Sequence, residues 1–244
     1  MRIRLYDVTR ITRTGLVPHS AIDAEDGAIT AVYDTLPAEE PGVRSVDAKG
    51  AYAAPGFIDI HLHGGGGVEF MDATPERIRA GCAAHARHGT TTLLPTTLAA
   101  SPELTLRMIR AVRQAQAATT ACTIAGVHLE GPFINPKCLG AQNPDFVREP
   151  DIEMVKRLAG IFPVKKVSYA VEMPGGDKFA AECLAEGITP SCVHSAATFK
   201  QFQAAHEHGL QNLTHFCNQM TPLHHRDIGL VGAGFACKDV FIEL

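Results

Sequence analysis

The sequence predicts an α/β protein: an incomplete (β/α)8 barrel of the TIM type over residues 54–244, preceded by a small β unit, part of a β-sandwich, over residues 1–53. Three observations carry this. Residues 1–53 show period-two alternation broken by Gly and Asp turns, with no helical stripe. From Ala54 onward, strand-like runs alternate with helix-like ones, the pattern of a parallel sheet with right-handed crossovers. Seven such strand runs occur without an edge-strand signature, which favours a barrel over an open sheet.

In chain order, the β unit is carried by "RIRLYDV", "SAIDAEDGAITAVYD" and "RSVDAKGAY". Barrel strands are expected at "GFIDIHL" (56–62), "TTTLLPTTL" (90–98), "TIAGVHLE" (123–130), "VKKVSYAVE" (164–172), "TPSCVHS" (189–195), "NLTHFCN" (212–218) and "DVFIEL" (239–244). Between them, "TPERIRAGCAAHARHG" and "SPELTLRMIRAVRQAQ" open on a capping hydroxyl and a first-turn proline. "GDKFAAECLAEG" and "ATFKQFQAAHEHG" close on glycine, and Asp177 is placed to cap the first of these two. The seventh strand run stops at Leu244, one strand short of closure, so the chain is expected to be the N-terminal part of a longer protein.

Composition excludes several classes. The 244 residues are 45% hydrophobic and 20% charged, enough for a sizeable core. A net charge of −4 gives no basic field for nucleic acid or an anionic membrane, so an anionic substrate needs a local basic site. Seven cysteines, an odd count without Cys-x-x-Cys, argue against a disulfide framework and for a reducing, cytoplasmic setting. The opening "MRIRLYDVTR" lacks the apolar run of a signal peptide, and no apolar run approaches the ~18 residues of a membrane helix.

Twelve histidines are the unusual entry in the composition, and several sit at strand ends. In a barrel the active site lies at the C-terminal ends of the strands. The first expected strand brings His61 and His63, the third His128 and Glu130, the fifth His194 and the sixth His215. Residues two apart on a strand share a face, so each pair can point together. A buried carboxylate needs a partner, and Glu130 with His194 and His215 is a three-ligand set of the kind that holds a catalytic ion with one position open. The competing reading is a group of satisfied core or surface histidines. Ser195 beside His194 is not a nucleophile–base pair, because neighbours on a strand face opposite ways. "GGGG" (64–67) allows close backbone approach or is a plain turn, and Cys217 is placed either at the same mouth or as apolar filler.

"PGFIDIHLHGGGG", "GTTTLLPTTL", "GVHLEGPFINPKCLGAQNP", "HSAAT" and "LTHFCNQMTPL" together resemble the amidohydrolase superfamily, and within it the N-acetylglucosamine-6-phosphate deacetylase family. The resemblance implies hydrolysis of the acetamide of N-acetylglucosamine 6-phosphate to glucosamine 6-phosphate and acetate. It implies Glu130, His194 and His215 as ligands of one divalent ion, zinc or iron, with a second ion at His61 and His63, a pair that some members have and others lack. It further implies substrate contacts from Ala141, Gln142, Asn218 and Gln219, a phosphate contact from Arg226, and a homodimer for the full-length protein. A guanidinium fork suits phosphate oxygens, although Arg226 also reads as a solvated loop charge.

Several positions depart from the family pattern. Gln219 replaces a usually small residue, so only a backbone contact carries over there; Gln142 stands where a histidine is usual, and "VHSAAT" lacks the common glycine before its histidine and polar residue after its serine, and these two leave the exact amino sugar open. The family's general acid/base is an aspartate at the end of the eighth strand, expected beyond Leu244; Asp59 does not substitute for it, so residues 1–244 by themselves are expected to have little or no deacetylase activity. The alternatives are another metal amidohydrolase, acting on a cyclic amide or dipeptide, or a metal-binding fragment without turnover.

Overall fold

Period-two alternation in the first residues produces β1 (Arg2–Thr12), β2 (Gly15–Glu25), β3 (Ala28–Tyr33), β4 (Arg44–Asp47) and β5 (Tyr52–Ala53) in the computed structural model, which describes residues 1–118 and 121–244. Their order is β3-β2-β1-β4, with β2 antiparallel and β4 and β5 parallel to β1. These strands lie in the first of two compact units, Met1–Gly56; the second is Phe57–Leu244. The buried face of the first unit carries a charge pair between register partners: Arg4 Nε meets Asp23 Oδ1 at 2.7 Å and Arg4 Nη2 meets Asp23 Oδ2 at 2.9 Å. This fork holds the Asp23 carboxyl down at about 2 against the opposing effect of burial, with Arg2 assisting.

The second unit alternates strand and helix. It runs β6 (Phe57–Leu62), β7 (Gly64–Gly65), β8 (Val68–Glu69), α1 (Pro75–Ala86), β9 (Thr90–Pro95), α2 (Pro102–Ala118), β10 (Thr123–Ile124) and β11 (Val127–Glu130). It continues with α3 (Ile152–Ala159), β12 (Val164–Tyr169), α4 (Gly176–Ala185), β13 (Thr189–Cys192), α5 (Phe199–Glu207), β14 (Asn212–Leu213), α6 (Gly229–Ala236) and β15 (Phe241–Ile242). The strands pair in parallel in two runs, β10-β9-β6 and β11-β12-β13-β14-β15, and a Thr96–His128 bridge links the two. Among the described residues, antiparallel pairing in this unit is confined to the short β7–β8 ribbon and a His224–Asp227 bridge. Phe57, Ile58, Phe241 and Leu244, at the two ends of this strand order, are exposed. Among the described residues no helix is long and apolar enough to cross a membrane.

Helix starts follow their caps. Thr74 accepts from the Arg77 N–H ahead of Pro75, and Ser101 accepts from the Leu104 N–H ahead of α2. Thr198 and Gln201 form a reciprocal capping box on α5. Along α2, Thr105, Met108, Ile109, Val112 and Ala115 are buried, the spacing of one helical face against the sheet. Phe133, Tyr169 and Phe179 pack edge-on in the core, with ring centroids 4.9–5.4 Å apart.

The structure departs from the sequence reading at several places. The third strand is two segments: β10 pairs with β9, and β11 with β12. Gly126 sits between them, where a Cβ would lie 2.7 Å from the Pro163 carbonyl oxygen, so the backbone passes too close for any side chain. Strands β12, β13 and β14 stop at Tyr169, Cys192 and Leu213, leaving Glu172, His194 and His215 in the loops just beyond. Asp177 does not cap α4: Gly175 holds that position at φ +80°, and Asp177 lies in the first turn. Helices α3 and α6 were not anticipated; they are short, of 8 residues each.

Candidate metal centre

Five side chains converge where β6, β11, β13 and β14 end. Glu130, the last residue of β11, is 2% exposed and divides its two oxygens between two histidine pairs. Oε1 lies 3.3 Å from His194 Nε2 and 3.1 Å from His215 Nε2. Oε2 lies 3.4 Å from His61 Nε2 and 3.0 Å from His63 Nε2. Within the pairs, the Nε2 atoms stand 3.4 Å apart for His194 and His215, and 3.2 Å apart for His61 and His63.

The Glu130 contacts at 3.0 and 3.1 Å are also of hydrogen-bond length, while the paired Nε2 atoms match the spacing of ligands on one ion. A tetrahedral ion with ligands at about 2.0–2.1 Å sets its ligands about 3.3–3.4 Å apart. Both groups, Glu130–His194–His215 and His61–His63–Glu130, have donor sets and spacings of that kind. The donor chemistry agrees for His194. Its Nδ1–H donates to the Cys138 carbonyl at 2.6 Å, which fixes the neutral tautomer and leaves the Nε2 lone pair facing Glu130.

Electrostatics point the same way. Burial would raise the Glu130 carboxyl, yet the imidazoles of His194, His215, His61 and His63 hold it far below the usual carboxylate range. Burial lowers the His61 pKa, but Glu130 and Glu243 outweigh that effect and lift it to about 9. Both shifts have the same physical cause, a buried carboxylate closely surrounded by imidazoles. Lys166, lowered by burial, pairs with Glu243 at the edge of this network.

The loop after β11 frames the centre. The Asn135 N–H donates to the His194 carbonyl at 3.0 Å, and Gly140 packs so close that a Cβ there would be 3.2 Å from the His194 ring. Gln142 Nε2 donates to Glu130 Oε2 at 3.0 Å. On the other side, Glu172 accepts from Asn135 Nδ2 at 2.7 Å, from the Ala196 N–H at 2.6 Å and from the Ser195 hydroxyl. His194 and His215 both have left-handed backbones, at φ +43° and +34°. Such strain persists where surrounding bonds over-determine the turn, as these do.

The centre opens into a cavity of about 550 Å³ lined by His61, His63, Glu130, His194 and His215 together with Ala141, Gln142 and Asn218. Of the other residues singled out in the sequence, Gln219 and Arg226 are not in the lining. Gln219 lies beside Gly140, and its carbonyl accepts from the Ser195 N–H; Arg226 is exposed, with Nε 3.3 Å from His225 Nε2. His128 lies deeper than Glu130, fully buried, with Nε2 2.6 Å from the Ser168 hydroxyl, and belongs to neither ion group. Burial and the nearby Lys166 and His61 charges push it well below an ordinary histidine pKa. Ser195 bonds Glu172 rather than His194. Cys217 is exposed rather than core filler. In the glycine run, a Cβ on Gly64 would lie 2.1 Å from the Val68 carbonyl oxygen, so close backbone approach is the operative property there. Sequence reasoning missed the roles of Cys138, Glu172, Lys166 and Glu243; only Glu172, an acidic residue ending a strand-like run as Glu130 does, carried a readable signal.

The family model described as "Amidohydrolase family" matches residues 52–222. The chain belongs to the amidohydrolase family. It is 32% identical over 98% of its length to an N-acetylglucosamine-6-phosphate deacetylase of Lysinibacillus sphaericus, covering 62% of that protein. It is 33% identical over 96% of its length to an N-acetylgalactosamine-6-phosphate deacetylase of Escherichia coli O157:H7, covering 61% of it. Among solved structures it matches N-acetyl-D-glucosamine-6-phosphate deacetylase of Mycobacterium smegmatis in complex with N-acetyl-D-glucosamine-6-phosphate. There the TM-score is 0.84 at 31% identity, over 100% of this chain and 62% of that one. This amidohydrolase chain thus spans about three fifths of the length of these relatives.

Proposed function

We propose that this amidohydrolase serves the metal-dependent removal of the N-acetyl group from an N-acetylhexosamine 6-phosphate, with N-acetylglucosamine 6-phosphate as substrate and glucosamine 6-phosphate and acetate as products. The observation that carries the reading is the carboxylate of Glu130, set between two imidazole pairs at ion-ligand spacing on a cavity of about 550 Å³. Relatives that act on acetylated amino-sugar phosphates, at 32–33% identity over nearly the whole chain, support the substrate class. The parallel strands of the second unit are read as the larger part of a (β/α)8 barrel, and the working form as a cytoplasmic homodimer.

Glu130, His194 and His215 would hold one divalent cation, zinc or iron, and His61 and His63, with Glu130, would hold a second. When bound, the cation supplies Lewis acidity, which polarises an amide carbonyl and acidifies water toward neutral pH. The protein's own part is to hold and orient. The Cys138 carbonyl keeps the His194 lone pair directed inward, and Glu172 braces the turn that carries His194. Ala141, Gln142 and Asn218 wall the cavity around the acetamide, Gln219 contributes its backbone, and Arg226 meets the phosphate. Among the described residues the carboxylates lining the cavity are Glu69 and Glu130, and neither is given the general-base role, which the family pattern assigns to an aspartate.

A second reading changes only the sugar: N-acetylgalactosamine 6-phosphate, favoured by the Escherichia coli relative. The test is acetate release by the zinc- or iron-loaded full-length protein from both phosphosugars and from unphosphorylated N-acetylglucosamine, with amino-acid release from a dipeptide followed alongside. Turnover of a phosphosugar well above the other two is expected. Hydrolysis of the dipeptide with none of either phosphosugar would overturn the assignment.

A further inference from the structure

We propose that Gln142 is a positioning residue for Glu130: its amide pins the carboxylate so that one oxygen is presented to each histidine pair. The inference rests on the metal-dependent reading above. Gln142 is 6% exposed, and both ends of its amide are engaged. The Ala99 N–H donates to Gln142 Oε1 at 2.7 Å, and Gln142 Nε2 donates to Glu130 Oε2 at 3.0 Å. The orientation of the amide follows from chemistry. Flipped, it would set its oxygen against the carboxylate and its NH2 against the Ala99 N–H, two repulsive contacts in place of two bonds.

A carboxylate needs such a brace here. The terminal torsion of glutamate is soft and roughly two-fold, and the imidazoles present lone pairs wherever an ion is to bind, so they do not fix that torsion themselves. Gln142 takes one acceptor direction of Oε2, the oxygen facing His61 and His63. Oε1 is left with only His194 and His215 beside it. Because its other end is tied to the backbone of the loop after β9, Gln142 transmits the position of that loop to the carboxylate.

The test is Zn²⁺ affinity, measured without substrate by competition with a chromophoric chelator, for the wild type, Gln142→Leu and Gln142→Met. The melting temperature of each metal-free protein is recorded alongside, and the flexible methionine decides if the leucine variant does not fold. The tighter Zn²⁺ is expected to be held about 10–100-fold more weakly in the variants. Unchanged Zn²⁺ affinity in a folded variant, with only KM for the phosphosugar raised, would make Gln142 a plain substrate contact and overturn the proposal. A wild type that binds no Zn²⁺ or Fe²⁺ would instead overturn the metal-dependent reading itself.

Discussion

The Nε2 atoms of His194 and His215 stand 3.4 Å apart, and both face the same oxygen of Glu130. The two rings cross nearly at right angles, at 85°, so their lone pairs converge from different directions instead of stacking. Imidazoles gathered in this way around one buried carboxylate form a ligand set, which makes ion content the most direct prediction. Glu130→Ala is expected to lose all tightly bound metal, since its carboxylate serves both groups. His194→Ala and His215→Ala should lose the tighter ion, and His61→Ala at most the second. Elemental analysis of the purified proteins checks this; equal metal in the wild type and the Glu130, His194 and His215 variants would refute the site, and loss of all metal in His61→Ala would reverse the ranking of the two.

Glu172 is predicted to matter for stability and for the centre together. Its carboxylate collects donors from the loops after β11 and β13, and one of them is the N–H of Ala196, two residues from His194. Truncation leaves buried donors unsatisfied, which costs about 1–3 kcal/mol, and frees a turn whose His194 sits at φ +43°. Glu172→Ala should therefore lower the urea midpoint of the metal-free protein and also weaken Zn²⁺ binding. A loss of stability with no change in Zn²⁺ affinity would reduce Glu172 to a scaffold role.

The sequence pattern already marks the residues that the fold gathers at this candidate centre. Glu130, His61, His63, His194 and His215 were identifiable because ligand-type residues recur at the ends of strand-like runs, and the alternation of strands and helices told where those ends would gather. His128 was the misleading member. Two residues before Glu130, it reads as an equal partner, yet depth along the strand separates them: His128 bonds Ser168 below while Glu130 meets the cavity. Periodicity assigns a face and says nothing about depth. The bracing was hidden for a different reason. The Cys138 carbonyl and the Gln142 amide reach the centre through the path of one long loop, and no local pattern encodes where a loop's backbone crosses a distant ring. The strands beyond β11 were read too long because apolar runs continue past the point where the chain leaves its ladder and turns left-handed at His194 and His215.

Acid sensitivity of the N-terminal unit is predicted to run through Asp23. The carboxyl is held at about 2, chiefly by its bonds to Arg4, against an ordinary value near 3.8. A depressed carboxyl contributes stability that is fully present above its unfolded pKa and is lost as pH falls through the folded one. The stability difference between wild type and Asp23→Asn should thus be constant above about pH 5 and shrink as pH falls from about 4 toward about 2. Denaturant titrations of both proteins across that range measure it. A difference independent of pH would mean that Asp23 contributes through packing and hydrogen bonds alone.

Phosphate recognition provides the sharpest functional test. Arg226 is exposed and lies outside the lining of the cavity, with no carboxylate paired to it among the described residues and its Nε turned toward His225. A guanidinium in that state keeps its fork available for phosphate oxygens, and charge-assisted hydrogen bonds of this type are worth about 1.5–3 kcal/mol. In the full-length protein, Arg226→Ala is therefore expected to lower kcat/KM for N-acetylglucosamine 6-phosphate by about 10–100-fold, with little effect on unphosphorylated N-acetylglucosamine. Fold and metal content should be unchanged, because the side chain touches neither the core nor the ion groups. Arg226→Lys should recover part of the loss, since a lysine keeps the charge without the planar fork. Equal losses on both sugars would remove Arg226 from phosphate binding, and the anion would then have to be recognised at the cavity itself.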